Sequence, residues 1–153
     1  MAVPDLELKR RMEAFASACR RKGLKATHQR MEVFAELAAS DEHPDAETLY
    51  QRVRERVPAI SRDTVYRTLA TLERKGFIRR ADAVTGASRY DANPRPHHHF
   101  ICTSCGLIKD FRSEALDDLS IPKSVEALGR IDTAQVQVRG VCKSCQKKAK
   151  RDK

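Results

Sequence analysis

Tryptophan is absent from this chain of 153 residues, and aromatic side chains make up only 5% of it. A module that binds single-stranded nucleic acid by base stacking needs a platform of such rings, so a stacking RNA-binding zinc ribbon is disfavoured. No apolar run approaches the roughly 18 residues of a membrane-spanning helix, which excludes an integral helical membrane protein and leaves no membrane partner expected. The opening stretch, MAVPDLELKRR, lacks the apolar core and cleavage site of a secretory signal. A cytoplasmic location is therefore expected, in a compartment where structural disulfides are rare. Cysteines number only five, as two CxxC pairs and a singleton, and that odd set points towards metal rather than a disulfide framework. Acidic residues are the minority charge, 21 against 30 basic, and the resulting +9 implies an anionic partner without naming one.

What is present divides into two parts. Residues 1–96 hold 19 basic and 14 acidic side chains, residues 97–142 hold 5 and 6, and residues 143–153 hold 6 and 1. Asn93-Pro94-Arg95-Pro96 reads as an extended linker at the first change of composition. The expected organisation is a basic helical domain over 1–92, a linker over 93–96, a metal-ligand-rich domain over 97–145 and a basic tail over 146–153. The fold class expected is α+β.

Helical periodicity governs the first part. Leu8, Met12, Phe15 and Cys19 share one stripe, with Gly23 placed to end that helix, and Cys19 reads as a small buried apolar residue. Thr27 is placed to cap a second helix carrying Met31, Phe34, Leu37 and Ala38 inward. A third follows His43-Pro44 with Leu49, Val53 and Val57, and Pro58 closes it. Ser61 caps a fourth, whose inward stripe is Val65, Leu69 and Leu72, ending at Lys75-Gly76. Its other face offers Arg62, Thr64, Tyr66, Arg67 and Arg74, donors for phosphates and base edges and a ring for a thymine methyl. Phe77–Arg80 and Ser88–Asp91 flank Thr85-Gly86 as a β-hairpin. Helices followed by this hairpin make a winged helix-turn-helix with residues 61–75 as its recognition helix. A solvated basic face on an ordinary helical domain is the plainer alternative.

The second part carries two kinds of metal ligand. Cys102-Thr-Ser-Cys105 and Cys142-Lys-Ser-Cys145 each place two sulfurs on a tight turn, and four thiolates match a closed structural Zn(II) site. A thioredoxin-like dithiol, which would make the chain a redox enzyme, and an iron–sulfur cluster are the competing readings. His97-His98-His99 precedes Phe100-Ile101-Cys102 on an extended stretch, so His97 and His99 share a face and His98 takes the other. Asp91 and Asp110 are nearby candidate carboxylates, and an imidazole–carboxylate shell without sulfur suits Fe(II) or Mn(II). An ion held by Asp91 and these histidines would span the linker, where a ligand has leverage over conformation.

Taken together, GLKATHQR (23–30), HPDAETLY (43–50), SRDTVYRTL (61–69), HHHFIC (97–102), CxxCG with Asp110-Phe111 after it, and GVCxxC (140–145) resemble the Fur (ferric uptake regulator) superfamily over nearly the whole chain. The resemblance implies a winged-helix DNA-binding domain, a small α/β dimerisation domain, and a homodimeric repressor on a palindromic operator, not an enzyme. It implies His43, Asp91, His97, His99 and Asp110 as regulatory ligands for Fe(II) or Mn(II), and Cys102, Cys105, Cys142 and Cys145 as ligands of structural zinc. It also implies Lys25 in the minor groove and Tyr66 and Arg67 on the recognition helix, beside Arg62. Ala134 stands where some members place a further ligating histidine, so a complete third site is not expected and His98 is left as a spectator. Members resembling the peroxide-responsive PerR type have Asp at both carboxylate positions, as here, which implies sensing through oxidation of His43 or His97. Iron-responsive repression of iron uptake genes is the alternative.

Overall fold

The computed structural model describes residues 3–81 and 86–152, and the chain forms two compact units, Met1–Pro94 and Arg95–Lys153. Among the described residues no helix is long and apolar enough to cross a membrane.

Four helices build the first unit. Helix α1 (Asp5–Arg21) follows Pro4, with Asp5 and Glu7 in its first turn and Arg20 and Arg21 in its last, the charge order that complements a helix dipole. Gly23, at φ 67°, turns the chain out of it in the left-handed region that glycine enters without strain. The Thr27 hydroxyl accepts from the Arg30 N–H to cap α2 (His28–Ala39), and Asp45 accepts from the Thr48 N–H to cap α3 (Ala46–Arg56). Ser61 does the same for Thr64 at the start of α4 (Arg62–Arg74). Their apolar stripes meet in one core, where Phe15 stacks on Phe34 at 3.9 Å between centroids and Cys19, Val33, Leu49 and Leu69 are sealed from water. Truncating Leu69 to alanine should lower this unit's stability by about 3 kcal/mol, from lost burial plus the cavity left behind. A fall in the urea midpoint of the helical signal would measure it.

The hairpin forms with shorter strands than its sequence pattern suggests. Strand β1 (Arg79–Ala81) pairs antiparallel with β2 (Arg89–Asp91), Arg80 opposite Tyr90. Phe77 and Ile78 are not in the strand, because both are drawn into the core, Phe77 edge-on to Phe15 and Ile78 buried. Thr85, half of the expected turn, lies outside the described residues.

The second unit is a three-stranded sheet in the order β4-β3-β5. Strand β3 (His98–Cys102) pairs antiparallel with β4 (Ile108–Phe111) and parallel with β5 (Gln137–Gly140). The crossover to β5 contains two short helices, α5 (Glu114–Asp117) and α6 (Lys123–Glu126). Residues expected as a basic tail form α7 (Lys143–Arg151), which begins inside the last CxxC pair. Among the described residues of this unit only Ile101, Cys102 and Ile108 are buried apolar side chains. So small a core calls for a metal or a second subunit to support it. Leu119, Val125, Leu128, Ile131, Val138 and Val141 lie exposed here, Leu128 at 86%.

Candidate metal centres and nucleic-acid interface

Parallel pairing of β3 with β5 sets Cys102 opposite Gly140, so the chain reaches Cys142 two residues later beside the end of β3. Cys142 occupies the N-cap position of α7, and its N–H donates to the Cys102 sulfur at 3.3 Å. After Cys102 the chain turns through Gly106, at φ 74°, into β4, and this turn carries Cys105. The Cys105 and Cys142 sulfurs are 3.8 Å apart, and all four sulfurs lie within 4.8 Å of one another. Backbone N–H groups of Cys142 and Cys105 hold the Cys102 thiol down to about 6. At Cys105 the Leu107 N–H favours the thiolate, yet burial and the neighbouring sulfurs prevail and push it up to about 11. Four sulfurs this close cannot all ionise without a cation among them. Zn(II) fits that donor set, with no ligand position left open for chemistry. The second pair does sit at a helix start after a strand, as a dithiol enzyme requires, but the first pair closes over it.

The opposite end of β3 carries imidazoles. His97 precedes the strand rather than starting it, yet it shares a face with His99, their Nε2 atoms 3.1 Å apart. The Asp110 carboxylate, directly across from His99 on β4, lies 3.3 Å from His99 Nε2 and 3.6 Å from His97 Nε2. His97 Nδ1 meets the Arg95 carbonyl at 2.7 Å, so the proton belongs on Nδ1 and the Nε2 lone pair faces the other two groups. Two imidazoles and a carboxylate converging without sulfur suit Fe(II) or Mn(II). His98 points the other way, accepting from the Val136 N–H and donating to the Asp117 carboxylate at 2.8 Å. It is a buried bridge between the crossover, α5 and the sheet, and so it has a structural task.

Within the first unit, His43 Nδ1 lies 3.8 Å from the Asp91 carboxylate, and both side chains are buried. His43 has φ 49°, a left-handed conformation that costs energy for a residue with a side chain. Its carbonyl accepts from the Arg89 guanidinium, which also reaches the Glu42 carbonyl, and the Tyr90 N–H binds the Pro44 carbonyl. Strand β2 thus clamps the His43 loop while carrying Asp91. Spacing gave no signal for His43, and its resemblance to a family motif alone singled it out.

Helix α4 buries Val65, Leu69 and Leu72 and turns Arg62, Tyr66 and Arg67 outward, Tyr66 half exposed. Between α4 and the start of α2 runs a polar groove of about 510 Å³ lined by Lys25, Thr27, Gln29, Arg30, Thr64, Arg67, Thr68 and Thr71. The Arg30 guanidinium braces the Lys25 carbonyl at 3.0 Å, which fixes the loop that presents Lys25. Two arginines of this face have acidic neighbours: Arg67 meets Asp63 at 2.6 Å, and Arg62 meets Glu47 through two 2.9 Å hydrogen bonds. Glu47 and Arg30 were not among the residues the sequence pattern selected. The only cue was helix-cap spacing from Thr27 to Arg30, and no periodicity links Glu47 to Arg62.

Residues 21–139 match the model of the Ferric uptake regulator family. The peroxide-responsive repressor PerR of Staphylococcus aureus (strain Mu50 / ATCC 700699) is 30% identical over 97% of this chain and 100% of its own. The ferric uptake regulator Fur of Helicobacter pylori, a structure described as revealing three functional metal binding sites, superposes with TM-score 0.70 at 27% identity, over 91% of this chain and 93% of that one. A zinc-bound manganese uptake regulator superposes with TM-score 0.64 at 34% identity, over 86% and 98% of the two chains. By the family model and by this near-complete coverage, the chain belongs to the ferric uptake regulator family.

Proposed function

We propose that this protein is a homodimeric, metal-dependent DNA-binding repressor of the peroxide-responsive type. The observation that carries the reading is the sulfur-free corner where His97 and His99, at the start of β3, meet Asp110 of β4, while the far end of β3 runs into the four-cysteine cluster. The sheet thereby offers a closed, soft thiolate site for structural zinc and a harder imidazole–carboxylate site for an exchangeable ion. His43 and Asp91 supply a second, incomplete pair of donors in the first unit. A regulatory Fe(II) or Mn(II) drawing on all five would tie the DNA-binding unit to the dimerisation unit. Two recognition helices would then lie about 34 Å apart, one turn of a palindromic operator. Exposed apolar side chains from Leu119 to Val141 and the open edge of β5 support the dimer. Lys25, Arg62, Tyr66 and Arg67 would contact the DNA.

Asp at both carboxylate positions and the PerR relative support the peroxide branch. Fe(II), when held there, would supply the electrons for reduction of peroxide beside the imidazoles. The chain's part is to hold those imidazoles as Nε2 or Nδ1 lone-pair donors, a capacity an oxygenated ring loses. Loss of a ligand imidazole would then release the ion and its hold on the DNA-binding unit. The 34% identity with a manganese uptake regulator favours, as a second reading, repression set by metal supply alone, of which iron-responsive control of uptake genes is one form.

Binding to DNA selected from a random duplex pool, with Fe(II) and Mn(II) in parallel and with and without micromolar peroxide, separates the two. The expected result is peroxide-triggered release with iron only, together with one added oxygen on a peptide containing His43 or His97. Reversible binding set by iron concentration, with unmodified histidines, would select the second reading.

A further inference from the structure

Arg62 is held by more than a surface ion pair. Its Nε and one Nη2 hydrogen donate side-on to the two oxygens of Glu47, both at 2.9 Å. Gln51, one turn further along α3, donates to Glu47 Oε1 at 2.8 Å and so orients the carboxylate in turn. The guanidinium lies over the Tyr50 ring, 4.8 Å from its centroid, and that ring is itself buried against the core. A carboxylate from the side and a ring beneath leave the arginine little freedom, although its side chain is 60% exposed.

Chemistry distinguishes the edge that is used from the edge that is not. A guanidinium carries five N–H donors in a flat fork. Side-on pairing consumes Nε–H and one Nη2–H, and leaves at the end of the fork one Nη1 hydrogen parallel to the second Nη2 hydrogen. That pair of parallel donors is the one that matches O6 and N7 of guanine in the major groove. Among the described residues Arg67 has no such frame: its acidic neighbour, Asp63, lies one turn back on the same helix. Arg62 also sits at the first position of α4, and in helix-turn-helix proteins the N-terminal end of that helix meets the base edges. Hydrogen bonding from Arg62 holds the Glu47 carboxyl down to about 2, so the pair is ionised at any pH used for DNA binding.

We infer that Glu47, braced by Gln51, is a positioning residue that presents Arg62 end-on to a guanine, making this pair a determinant of operator sequence. The inference rests on the DNA-binding reading above and adds to it a base identity and a residue on the preceding helix.

The test is selection from a random duplex pool by the full-length, Mn(II)-loaded protein, in parallel with Glu47→Ala, Glu47→Gln and Arg62→Lys. Wild type should enrich a guanine in each half-site. Glu47→Ala should lose that preference by about tenfold, at the lower end of what one bidentate base contact provides. Its binding to non-operator duplex should hold or rise, since a negative charge has been removed from the binding face. Arg62→Lys, which keeps the charge but not the fork, should lose the same guanine, and Glu47→Gln, which still accepts from Nε, should retain part of it. A merely structural role for Glu47 would weaken specific and non-specific binding together and lower the melting temperature, and that result would overturn the inference. So would an unchanged guanine preference in Glu47→Ala. Failure of wild type to enrich any sequence, with or without Mn(II), would instead remove the DNA-binding reading and this inference with it.

Discussion

Replacing Cys142 with serine should empty the four-sulfur cluster and unfold the second unit while leaving the helical core of the first intact. The expectation follows from how little else holds that unit together. Its buried apolar side chains among the described residues are Ile101, Cys102 and Ile108, and one of these is itself a cluster ligand. A structural zinc site contributes about 10–16 kcal/mol of apparent binding free energy, and in a unit with so small a core that is folding free energy. Cys142 also anchors two things at once: its N–H reaches the Cys102 sulfur, and it begins α7. Helix α7 has no buried residue and nine residues in all, too short to persist alone. Zinc content should fall from one ion per chain to none, and sedimentation should show loss of the dimer. Urea unfolding should retain the transition of the first unit, because the described members of the Phe15, Phe34 and Leu69 core all belong to that unit. An unchanged zinc content would sink the assignment.

Truncating His97 should have the opposite signature. His97→Ala removes one of three groups gathered at the sulfur-free corner, where its Nε2 lies 3.1 Å from that of His99. Removing a partner that merely orients a ligand costs about 10–100-fold in metal affinity, so loss of a ligand itself should cost at least about 100-fold. Metal-dependent DNA binding should disappear at micromolar Mn(II), while zinc content and dimer remain those of wild type, since the cysteine cluster lies at the other end of β3. Titration of Mn(II) against binding to a selected duplex measures this directly. Tight, Mn(II)-dependent binding by the variant would show that the corner is not the sensor. The pair of variants therefore separates the two sites: one loses assembly, the other only the switch.

Several parts of this arrangement were legible before any coordinates. Helix starts at Thr27 and Ser61 depend on a hydroxyl and an N–H three residues away, and both caps form as their sequence neighbourhood dictates. The stripe of Val65, Leu69 and Leu72 is buried because its spacing matches a helical turn. Alternation along an extended chain put His97 and His99 on one face and His98 on the other, and the side chains obey it. What misled was composition without context. Phe77 and Ile78 look like strand residues, but a nearby core of aromatic rings holds them more strongly than a ladder would. The lysine-rich end carries no apolar stripe to signal a helix, but a cysteine tied to the sheet supplies α7 with a fixed start.

The sequence by itself determined the donor types, the helix caps and the apolar stripes of the first helices, since each of these depends on residue chemistry or on neighbours within one or two turns. Tertiary structure decided which groups meet. Asp110 faces His99 because β3 and β4 are in a particular register. Cys142 reaches Cys102 because β5 runs parallel to β3. Glu47 frames Arg62 from 15 residues away because α3 and α4 pack against each other. None of these pairings has a local signal, because their free energy comes from elements brought together by the burial of other residues. The scarcity of aromatic residues disfavoured a stacking surface, and the fold places Phe15, Phe34, Phe77 and Tyr90 in or against the core of the first unit and uses Tyr50 to hold one arginine still.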